Sequence, residues 1–323
     1  MRIAIVGAGM AGMTAAAELR KAGYEVVVFE KGRGVGGRMA SRRIEQATLD
    51  HGAQFMTARR SRFIEHLEQW RTKGLVKPWF SGSSPAHVRW RGDPSMTAVP
   101  KYLADGITLH LKTRVNKLRR MSDEWQIDLE IGDAMRADAV ILTPPIPQSL
   151  TLMIEGDLDL APSMLQKLEN IRYERCLAVL ALLDGPSHIP SPGGLSLDSG
   201  PIAWLADNHM KGISAIPAIT IHATDNFSVA NWEKDRQKSG QALIDAATAW
   251  LGAEVINFQV HGWRYSKPIN GLEQPCIVVN ESPLLLWAGD ACGGARVEGA
   301  ALSGWAAADS IKQILKKGTF HAS

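Results

Sequence analysis

Near its start the chain carries the stretch Arg2-Ile-Ala-Ile-Val-Gly7-Ala-Gly9-Met-Ala-Gly12. A helical stretch follows it, and the next apolar run, Val26-Val-Val-Phe, ends at Glu30. A strand, a G-x-G-x-x-G turn, a helix, a second strand and an acid in this order are typical of a dinucleotide-binding βαβ unit. The sequence therefore predicts a doubly wound α/β sheet with a nucleotide at the first turn.

Each glycine of that pattern, and the acid that ends it, has a chemical reason. Gly7 allows a sharp turn out of the strand, Gly9 lets the backbone approach a pyrophosphate, and Gly12 lets the helix pack closely on the sheet. Phosphates are expected at the helix N-terminus, beside Ala11, because free N–H groups and the helix dipole favour an anion there. The carboxylate of Glu30 is expected to accept hydrogen bonds from the ribose hydroxyls.

The loop after Glu30 reads Lys31-Gly-Arg-Gly-Val-Gly-Gly37-Arg38. We expect Lys31 and Gly37 to lie beside the cofactor and Arg38 to pair with the pyrophosphate in the forked geometry that suits a guanidinium. A flexible basic loop on the surface is the alternative. The R-x-x-G-G-R pattern resembles the FAD-dependent amine oxidase superfamily, which includes phytoene desaturases and protoporphyrinogen oxidases.

That resemblance extends to Asp50-His51-Gly52-Ala53-Gln54-Phe55. It implies a turn whose backbone, from His51 to Gln54, contacts the isoalloxazine ring. It also implies a strand at 112–115, with Val115 passing the adenine.

A second predicted half of the site lies near the end of the chain. The apolar run at 284–288 is followed by Gly289-Asp290, then by Glu298-Gly299-Ala300 and an Ala-rich helix to about residue 317. A buried strand would deliver Asp290 at its carboxyl end, where ligands of doubly wound sheets bind. We expect Asp290 to accept from the ribityl chain, and the helix beginning near Gly299 to stabilise the negative charge of a reduced flavin.

The narrower resemblance is to the renalase family, most closely its bacterial members. It rests on residues 293–304, on Trp263-Arg264-Tyr265-Ser-Lys-Pro and on the turn at 50–55, and it is weak between residues 57 and 136. It implies an FAD oxidase that converts misreduced isomers of NAD(P)H, the 1,2- and 1,6-dihydro forms, to NAD(P)⁺ and passes the electrons to O2. Trp263, Arg264, Tyr265 and Gln54 are the predicted substrate-site residues, and no acid or base is assigned.

Length and composition limit the class of protein. With 323 residues and 45% hydrophobic residues the chain can bury a large core. A net charge of +3 indicates no nucleic-acid or membrane surface, and no apolar run reaches the roughly 18 residues of a membrane span. Three widely spaced cysteines suggest reduced thiols in the cytoplasm. No metal-ligand spacing and no sign of an obligatory protein partner is present.

The predicted architecture is an FAD-binding Rossmann-like domain interleaved with a mixed-sheet substrate domain, as in flavoproteins of the p-hydroxybenzoate hydroxylase type. The FAD-binding domain is expected at 1–60, 108–148 and 266–323, and the substrate domain at 61–107 and 149–265. Strands of the latter are expected at 177–183, 195–197, 202–205, 219–223 and 255–262, and a helix at 239–251.

Three hypotheses for the function remain from the sequence. The first is the oxidation of dihydronicotinamides with non-covalent FAD, which needs orientation and no strong base. The second is a flavin amine oxidase or a desaturase-like enzyme. The third is a non-enzymatic flavin-binding partner protein. The many tryptophans and the histidines His51, His222 and His261 fit a flat-walled site, although such residues more often belong to a core.

Overall fold

The protein is described by a computed structural model that covers residues 1–81 and 87–320. In chain order its strands are β1 (Arg2–Val6), β2 (Glu25–Glu30), β3 (Ser41–Ile44), β4 (Ala47–Asp50), β5 (Val76–Ser81), β6 (Val88–Gly92), β7 (Thr108–Leu111), β8 (Val115–Arg120), β9 (Trp125–Leu129), β10 (Met135–Ala137), β11 (Ala139–Leu142), β12 (Tyr173–Leu183), β13 (Gly194–Ser196), β14 (Ile202–Asp207), β15 (Ala218–Ala223), β16 (Val255–Pro268), β17 (Ile277–Glu281) and β18 (Leu284–Trp287). Its helices are α1 (Met10–Lys21), α2 (Ser61–Thr72), α3 (Ala98–Leu103), α4 (Ile146–Ile154), α5 (Pro162–Glu169), α6 (Asp225–Ala230), α7 (Arg236–Ala246), α8 (Thr248–Leu251), α9 (Asp290–Gly293) and α10 (Val297–Phe320).

The chain forms two compact units, each built from separate segments. The first unit comprises Met1–Gly37, Pro100–Arg172 and Pro268–Ser323, and the second comprises Arg38–Val99 and Tyr173–Lys267. The chain therefore passes from one unit to the other four times.

The first unit is organised around a six-stranded sheet in the order β17-β18-β11-β1-β2-β7. All neighbours from β18 to β7 pair in parallel, and β17 pairs antiparallel at the edge. The inner strands are apolar along their length because helices cover parallel strands: α1 and α10 share one core cluster with β1, β2, β11 and β18. The predicted doubly wound sheet is confirmed.

The second unit contains a five-stranded sheet in the order β13-β14-β15-β12-β16. The pairs β13–β14, β14–β15 and β12–β15 run antiparallel. Side chains of β12 alternate between two cores, as a period of two requires. Leu177, Val179 and Ala181 pack with the helical segment 232–251, whereas Leu180 and Leu182 pack with β3 and β4.

The packing of β3 and β4 accounts for one difference from the predicted domain limits. Residues 38–60 were assigned to the FAD-binding domain, but Ile44, Ala47 and Leu49 are buried against β12 and β15, so this segment lies in the second unit. Residues 100–107 and 149–172 lie in the first unit instead. Residues 82–86 and 321–323, which the predicted domains also contain, are outside the described residues.

Four local predictions were wrong in their bounds. The strand expected at 255–262 continues past Gly262 to Pro268, since it stays in the sheet beside β12. The helix expected at 239–251 is two helices, α7 and α8, which meet at Ala247. Residues 112–114 are a turn between β7 and β8, where Lys112 has a positive φ. The last helix begins at Val297, two residues earlier than expected.

Within the residues that the structure covers, no helix is both long enough and apolar enough to cross a membrane.

Candidate functional site

Three glycines shape the connection between β1 and α1. Gly7 has a φ of +101°, in the left-handed region that favours glycine, and a Cβ there would lie 2.5 Å from Thr143 Oγ1. A Cβ on Gly12 would lie 2.0 Å from the carbonyl oxygen of Gly7, so the helix approaches the turn this closely because residue 12 has no side chain. A Cβ on Gly9 would meet no atom within 4 Å. Open space therefore lies beside the residue that precedes α1.

The N-terminus of α1 has the properties of an anion site. No side chain caps it, and its first turn contains no acidic residue. The N–H groups of Met10, Ala11 and Gly12 have no preceding helical carbonyl to bond, and the helix dipole adds partial positive charge. The residues present fit the pyrophosphate of a dinucleotide, which such a terminus binds.

Glu30, at the end of β2, already holds the surrounding turns. Its Oε2 accepts from the Ala8 N–H at 2.9 Å, and its Oε1 accepts from the Gly32 N–H at 2.6 Å. A carboxylate has about four lone-pair sites, so it can also accept from ribose hydroxyls. The predicted role of Glu30 is thus compatible with its structural role.

The turn at 112–114 lies against the same end of β2. The N–H of Lys112 donates to Gly32 O and that of Thr113 to Glu30 O, both at 2.9 Å, which brings Val115 to the start of β8. Lys31 donates to Gln148 Oε1 at 3.0 Å. Burial and the nearby Arg114 lower the pKa of Lys31, while Glu30 raises it.

The later half of the site in the first unit surrounds α9 and the start of α10. Asp290 begins α9 and is 8% exposed, and Glu298, in the first turn of α10, is 5% exposed. Gly289 donates its N–H to Ser303 Oγ at 2.8 Å, which ties the turn before Asp290 to α10. A Cβ on Gly299 would lie 2.0 Å from Gly294 O, so the loop folds directly onto the helix start.

Helices α1 and α10 cross closely, which brings the two halves of the first unit together. A Cβ on Gly304 would lie 2.1 Å from Ala11 O, and Thr14 Oγ1 donates to Ala301 O at 3.2 Å. The packing of α1 on α10 therefore holds the glycine turn after β1 and the Gly289–Ala300 segment in one compact unit. Their residue-level contacts with a cofactor remain predictions.

In the second unit, the turn at 50–54 is closely packed. Ala53 N donates to Arg38 O at 2.8 Å, and a Cβ on Gly52 would lie 2.0 Å from that same oxygen. The Arg38 guanidinium donates to Ser266 O at 3.2 Å. Gln54 is 5% exposed, and its Nε2 donates to the carbonyls of Asp50 at 2.6 Å and Gly52 at 3.1 Å. The Gln54 amide therefore stabilises its own turn.

Trp263 and His51 form an aromatic wall beside that turn. Their rings stack with centroids 5.2 Å apart, and Trp263 Nε1 donates to His51 O at 2.7 Å. His261 contacts both rings, at 4.3 Å from Trp263 and 4.9 Å from His51. Nε2 of His222 lies 3.2 Å from His51 O, so it must carry the proton that it donates.

These imidazoles are neutral at physiological pH. Burial first, and then the neighbouring His261 and Arg42, lower the pKa of His51 to about 3. Burial is also the main reason that the pKa values of His222 and His261 fall to about 4. The three rings are thus uncharged; His51 and Trp263 stack, whereas His261 meets both of them edge-on. Within the described part of the chain His51 Nδ1 is buried without a hydrogen-bond partner.

A buried ion pair beneath the turn was not predicted. Lys211 Nζ lies 2.7 Å from Asp50 Oδ2, and both side chains are 0% exposed. Asp50 also accepts from Ser41 Oγ and from the Met96 N–H, while Lys211 lies 4.8 Å from the centroid of the Trp79 ring. Burial lowers the pKa of Lys211, which Asp50 opposes. The two residues are 161 positions apart, and no motif or spacing in the sequence connects them.

The structure separates the predicted substrate-site residues into different surroundings. Trp263 lies against the His51–Gln54 turn. The guanidinium carbon of Arg264 lies over the Trp232 ring, and Tyr265 contacts Tyr173 edge-on with centroids 5.4 Å apart. Trp263 and the turn therefore form one surface, and Arg264, the next residue of β16, lies on the opposite face of the strand, against Trp232.

Comparison with known families assigns the class of protein. The model of the NAD(P)-binding Rossmann-like domain matches residues 5–68, and that of the flavin containing amine oxidoreductases matches residues 69–312. The second match spans most of the chain, so the protein belongs to the family of flavin containing amine oxidoreductases. Along its whole length it is also similar to renalase of Mus musculus, with 26% identity over 98% of this chain and 99% of that protein.

A second likeness covers a shorter part of the chain. The 4,4'-diapophytoene desaturase of Staphylococcus aureus is 46% identical over 52 residues, 16% of this chain and 10% of that enzyme.

Solved structures agree on the fold. A protein described as a putative protoporphyrinogen oxidase from Exiguobacterium sp. 255-15 has a TM-score of 0.74 at 13% identity, with 97% of this chain and 98% of that one covered. A variant of putrescine oxidase has a TM-score of 0.71 at 14% identity and covers 98% and 99%.

These matches confirm the predicted fold, the resemblance to renalase-like flavoproteins and FAD as the cofactor. The protein is an FAD-dependent oxidoreductase. The sequence predicted the dinucleotide-binding fold and proposed Trp263 as a substrate-site candidate, but it did not predict the ion pair of Lys211 with Asp50.

Proposed function

We propose that the protein oxidises isomeric dihydro-NAD(P), the 1,2- or 1,6-dihydronicotinamide forms, to NAD(P)⁺ with O2 as the final acceptor. The observation that carries the proposal is the wall of Trp263, His51 and His261, whose histidines have pKa values of about 3 and about 4. Such a wall can hold a flat ring but does not supply a base at neutral pH. The similarity to mouse renalase over the whole chain supports the same reaction.

When bound, FAD supplies the redox chemistry, accepting a hydride and returning both electrons to O2 to give H2O2. The protein's own contribution is orientation, because formation of an aromatic nicotinamide needs no strong base. Trp263 and the turn at 51–54 fix the face of the ring, and the bonds from Trp263 Nε1 and His222 Nε2 to His51 O fix the turn. Two donors on one carbonyl leave that turn little freedom.

We also propose that FAD is bound non-covalently. Burial raises the pKa of Cys176 and of Cys292 to about 12 and also raises that of Cys276, which disfavours the thiolate that attachment requires. Acid precipitation is expected to release all of the yellow colour into the supernatant. Colour that stays in the washed pellet would contradict this.

The three cysteines are free, which supports a location in the cytoplasm.

The reaction is tested by anaerobic mixing. The FAD-loaded protein is mixed with the 1,2- and 1,6-dihydro isomers, with regular 1,4-NADH and with a panel of amines including putrescine, and flavin absorbance is followed. We expect fast bleaching by at least one isomer and slow bleaching by 1,4-NADH, because its hydride leaves from a different ring position. Fast bleaching by an amine would favour amine oxidation, and no bleaching by any compound would favour a binding protein.

Trp263→Phe separates orientation from folding. It keeps an aromatic ring but removes the Nε1 donor to His51 O. The rate of bleaching by the reactive isomer should fall about tenfold, as expected for the loss of a positioning hydrogen bond of about 1–1.5 kcal/mol. Trp70→Phe, in α2 of the same unit, is the matched control.

A further inference from the structure

Three aromatic rings of the second unit surround the side chain of Arg89. Its guanidinium carbon lies 4.7 Å from the centroid of the Phe55 ring, 4.8 Å from that of Phe80 and 5.3 Å from that of Trp204. Phe80 is the cross-strand partner of Arg89 in the β5–β6 hairpin, and Trp204 is on β14. An aromatic face attracts a cation but offers no oxygen acceptor to its N–H groups. The four residues are called the Arg89 cluster below.

No carboxylate balances the charge of Arg89, which is half-buried. Among the described residues, its guanidinium forms no ion pair and no hydrogen bond. Residues 82–86, outside the described part of the chain, are Gly-Ser-Ser-Pro-Ala and contain no acid. Asp50 and Asp93 of the same unit are already paired with other cations. The forked edge of the Arg89 guanidinium is therefore available to an anion.

Trp204 brings a second donor to the cluster. Its Nε1 is buried and has no hydrogen-bond partner among the described residues. A buried donor without an acceptor is unfavourable, and so is a guanidinium partly withdrawn from water without a counter-ion. Both donors are of the kind that the oxygens of an anion accept from, so the cluster has the chemistry of an anion site.

The Arg89 cluster lies on the same face of the five-stranded sheet as the aromatic wall. Trp204 is directly opposite His222 in the β14–β15 pair, and residues opposite each other in an antiparallel pair point to one face. His222 Nε2 donates to His51 O, the carbonyl that also accepts from Trp263.

A second connection runs through the chain itself. Phe55 directly follows the turn at 50–54, and its ring centroid lies 5.6 Å from that of Trp204. The turn therefore has the Trp263–His51 stack at one end and the Arg89 cluster at the other. One molecule lying along this face could contact both.

We propose that Arg89 binds the pyrophosphate group of the dinucleotide substrate, with Phe55, Phe80 and Trp204 holding its guanidinium in place. The inference rests on the proposed function, since it concerns the molecule whose nicotinamide ring Trp263 orients. A guanidinium stacked on rings keeps its fork of in-plane N–H donors for phosphate oxygens. Binding energy gained at the phosphates would hold the ring at the wall.

The test compares substrates that share the reacting ring and differ in phosphate content. Dihydronicotinamide riboside has no phosphate, the mononucleotide has one, and the dinucleotide has a pyrophosphate. For each variant kcat/KM is measured on the FAD-loaded enzyme, and the ratio of the dinucleotide value to the riboside value is the readout. Arg89→Gln removes both the charge and the fork, whereas Arg89→Lys keeps the charge and its contact with the rings but loses the fork.

We expect the ratio to fall about tenfold or more in Arg89→Gln, the effect of losing a charged hydrogen bond, and to fall less in Arg89→Lys. Lys77→Gln is the matched control and should leave the ratio unchanged. Lys77 is exposed on the same hairpin, and its charge is already paired with Asp93 at 2.8 Å.

An unchanged ratio in Arg89→Gln would overturn the proposal, whether the dinucleotide and riboside values both stay the same or both fall together. A parallel fall would mean that Arg89 only supports the packing of the turn. If Arg89→Gln does not fold, as judged by thermal unfolding, the ratio in Arg89→Lys decides in the same way.

A second measurement separates failure of the Arg89 site from failure of the proposed function. Binding of inorganic pyrophosphate to the FAD-loaded protein is measured by calorimetry for the unmodified chain, Arg89→Gln and Lys77→Gln. If the enzyme oxidises none of the dihydronicotinamides, the proposed function fails, and pyrophosphate alone decides the anion site. Binding that Arg89→Gln weakens and Lys77→Gln does not would sustain the site, whereas absent or equal binding would rule it out.

Discussion

Glu30 shows how one side chain serves both the fold and the predicted cofactor. Its two oxygens hold the N–H groups of Ala8 and Gly32, and these bonds place the carboxylate at the tip of β2. The motif spacing predicted the carboxylate from sequence, because the chain length of a βαβ unit fixes where the second strand ends. The bonds to Ala8 and Gly32 were not predicted, since they depend on turn geometry.

Glu30→Gln should weaken FAD binding about ten- to hundredfold. A neutral amide replaces a charged acceptor, and a hydrogen bond to a charged group contributes about 1.5–3 kcal/mol. FAD titration of the apoprotein by fluorescence measures the effect. Glu25→Gln, on the same strand but exposed and paired with Arg2, should leave affinity unchanged. Equal affinity of both variants would place the ribose elsewhere.

Lys211→Met should lower the free energy of unfolding by about 3–5 kcal/mol, because it leaves the buried Asp50 carboxylate without its cation. The double variant with Asp50→Asn should recover a large part of that loss. Lys267→Met removes an exposed pair with Glu174 and should cost at most about 1 kcal/mol. Urea unfolding measures all three. A double variant no more stable than Lys211→Met would contradict this view of the pair.

The start of α1 contains one glycine that we expect the fold to need, Gly12, and one that we expect FAD binding to need, Gly9. Gly9→Ala adds a methyl group to open space, so we expect unchanged thermal stability of the apoprotein and weaker FAD binding. Gly12→Ala places its Cβ 2.0 Å from Gly7 O, so the backbone must shift and stability should fall by about 1–3 kcal/mol. Thermal unfolding and FAD titration distinguish the two effects. Lower stability of Gly9→Ala would indicate that its Cβ is not accommodated.

Strands were predicted correctly where the local sequence pattern matches the burial of the strand in the fold. The parallel strands β1, β2, β11 and β18 were predicted because strands covered on both sides are apolar throughout. The extension of β16 was not, since Gly262 is a poor strand residue and only its place beside β12 keeps the chain extended. The contacts of Arg175, Arg236 and Arg264 with Trp232 were not predicted either, because the three arginines come from two strands and a helix that only the fold brings together.

The free energy of unfolding of the protein should depend on pH through His51, His222 and His261. Their pKa values fall from about 6.5 to about 3, 4 and 4, so the folded chain keeps them neutral while the unfolded chain takes up protons near pH 6.5. Stability is therefore complete above about pH 7 and is lost as pH falls from 6.5 towards 4.

The slope of the free energy of unfolding against pH measures this effect. His222 alone should contribute up to about 1.4 kcal/mol per pH unit between pH 6 and 5. Urea unfolding at pH 7.5, 6 and 5 gives the slope, and His222→Gln should reduce it. A slope that His222→Gln leaves unchanged would mean that other groups carry the acid sensitivity.

The order of the segments along the chain determines when each unit has been completely synthesised. Unit two has all of its segments once residue 267 has left the ribosome. In unit one, β18 lies between β17 and β11, so its central sheet stays incomplete until residues 284–287 emerge. The glycine turn after β1 is translated before the second unit, whereas the segment at 289–300, the other predicted part of the FAD site, follows β18. We therefore expect FAD to bind only after residue 300 has emerged, on a chain whose second unit already has all of its segments.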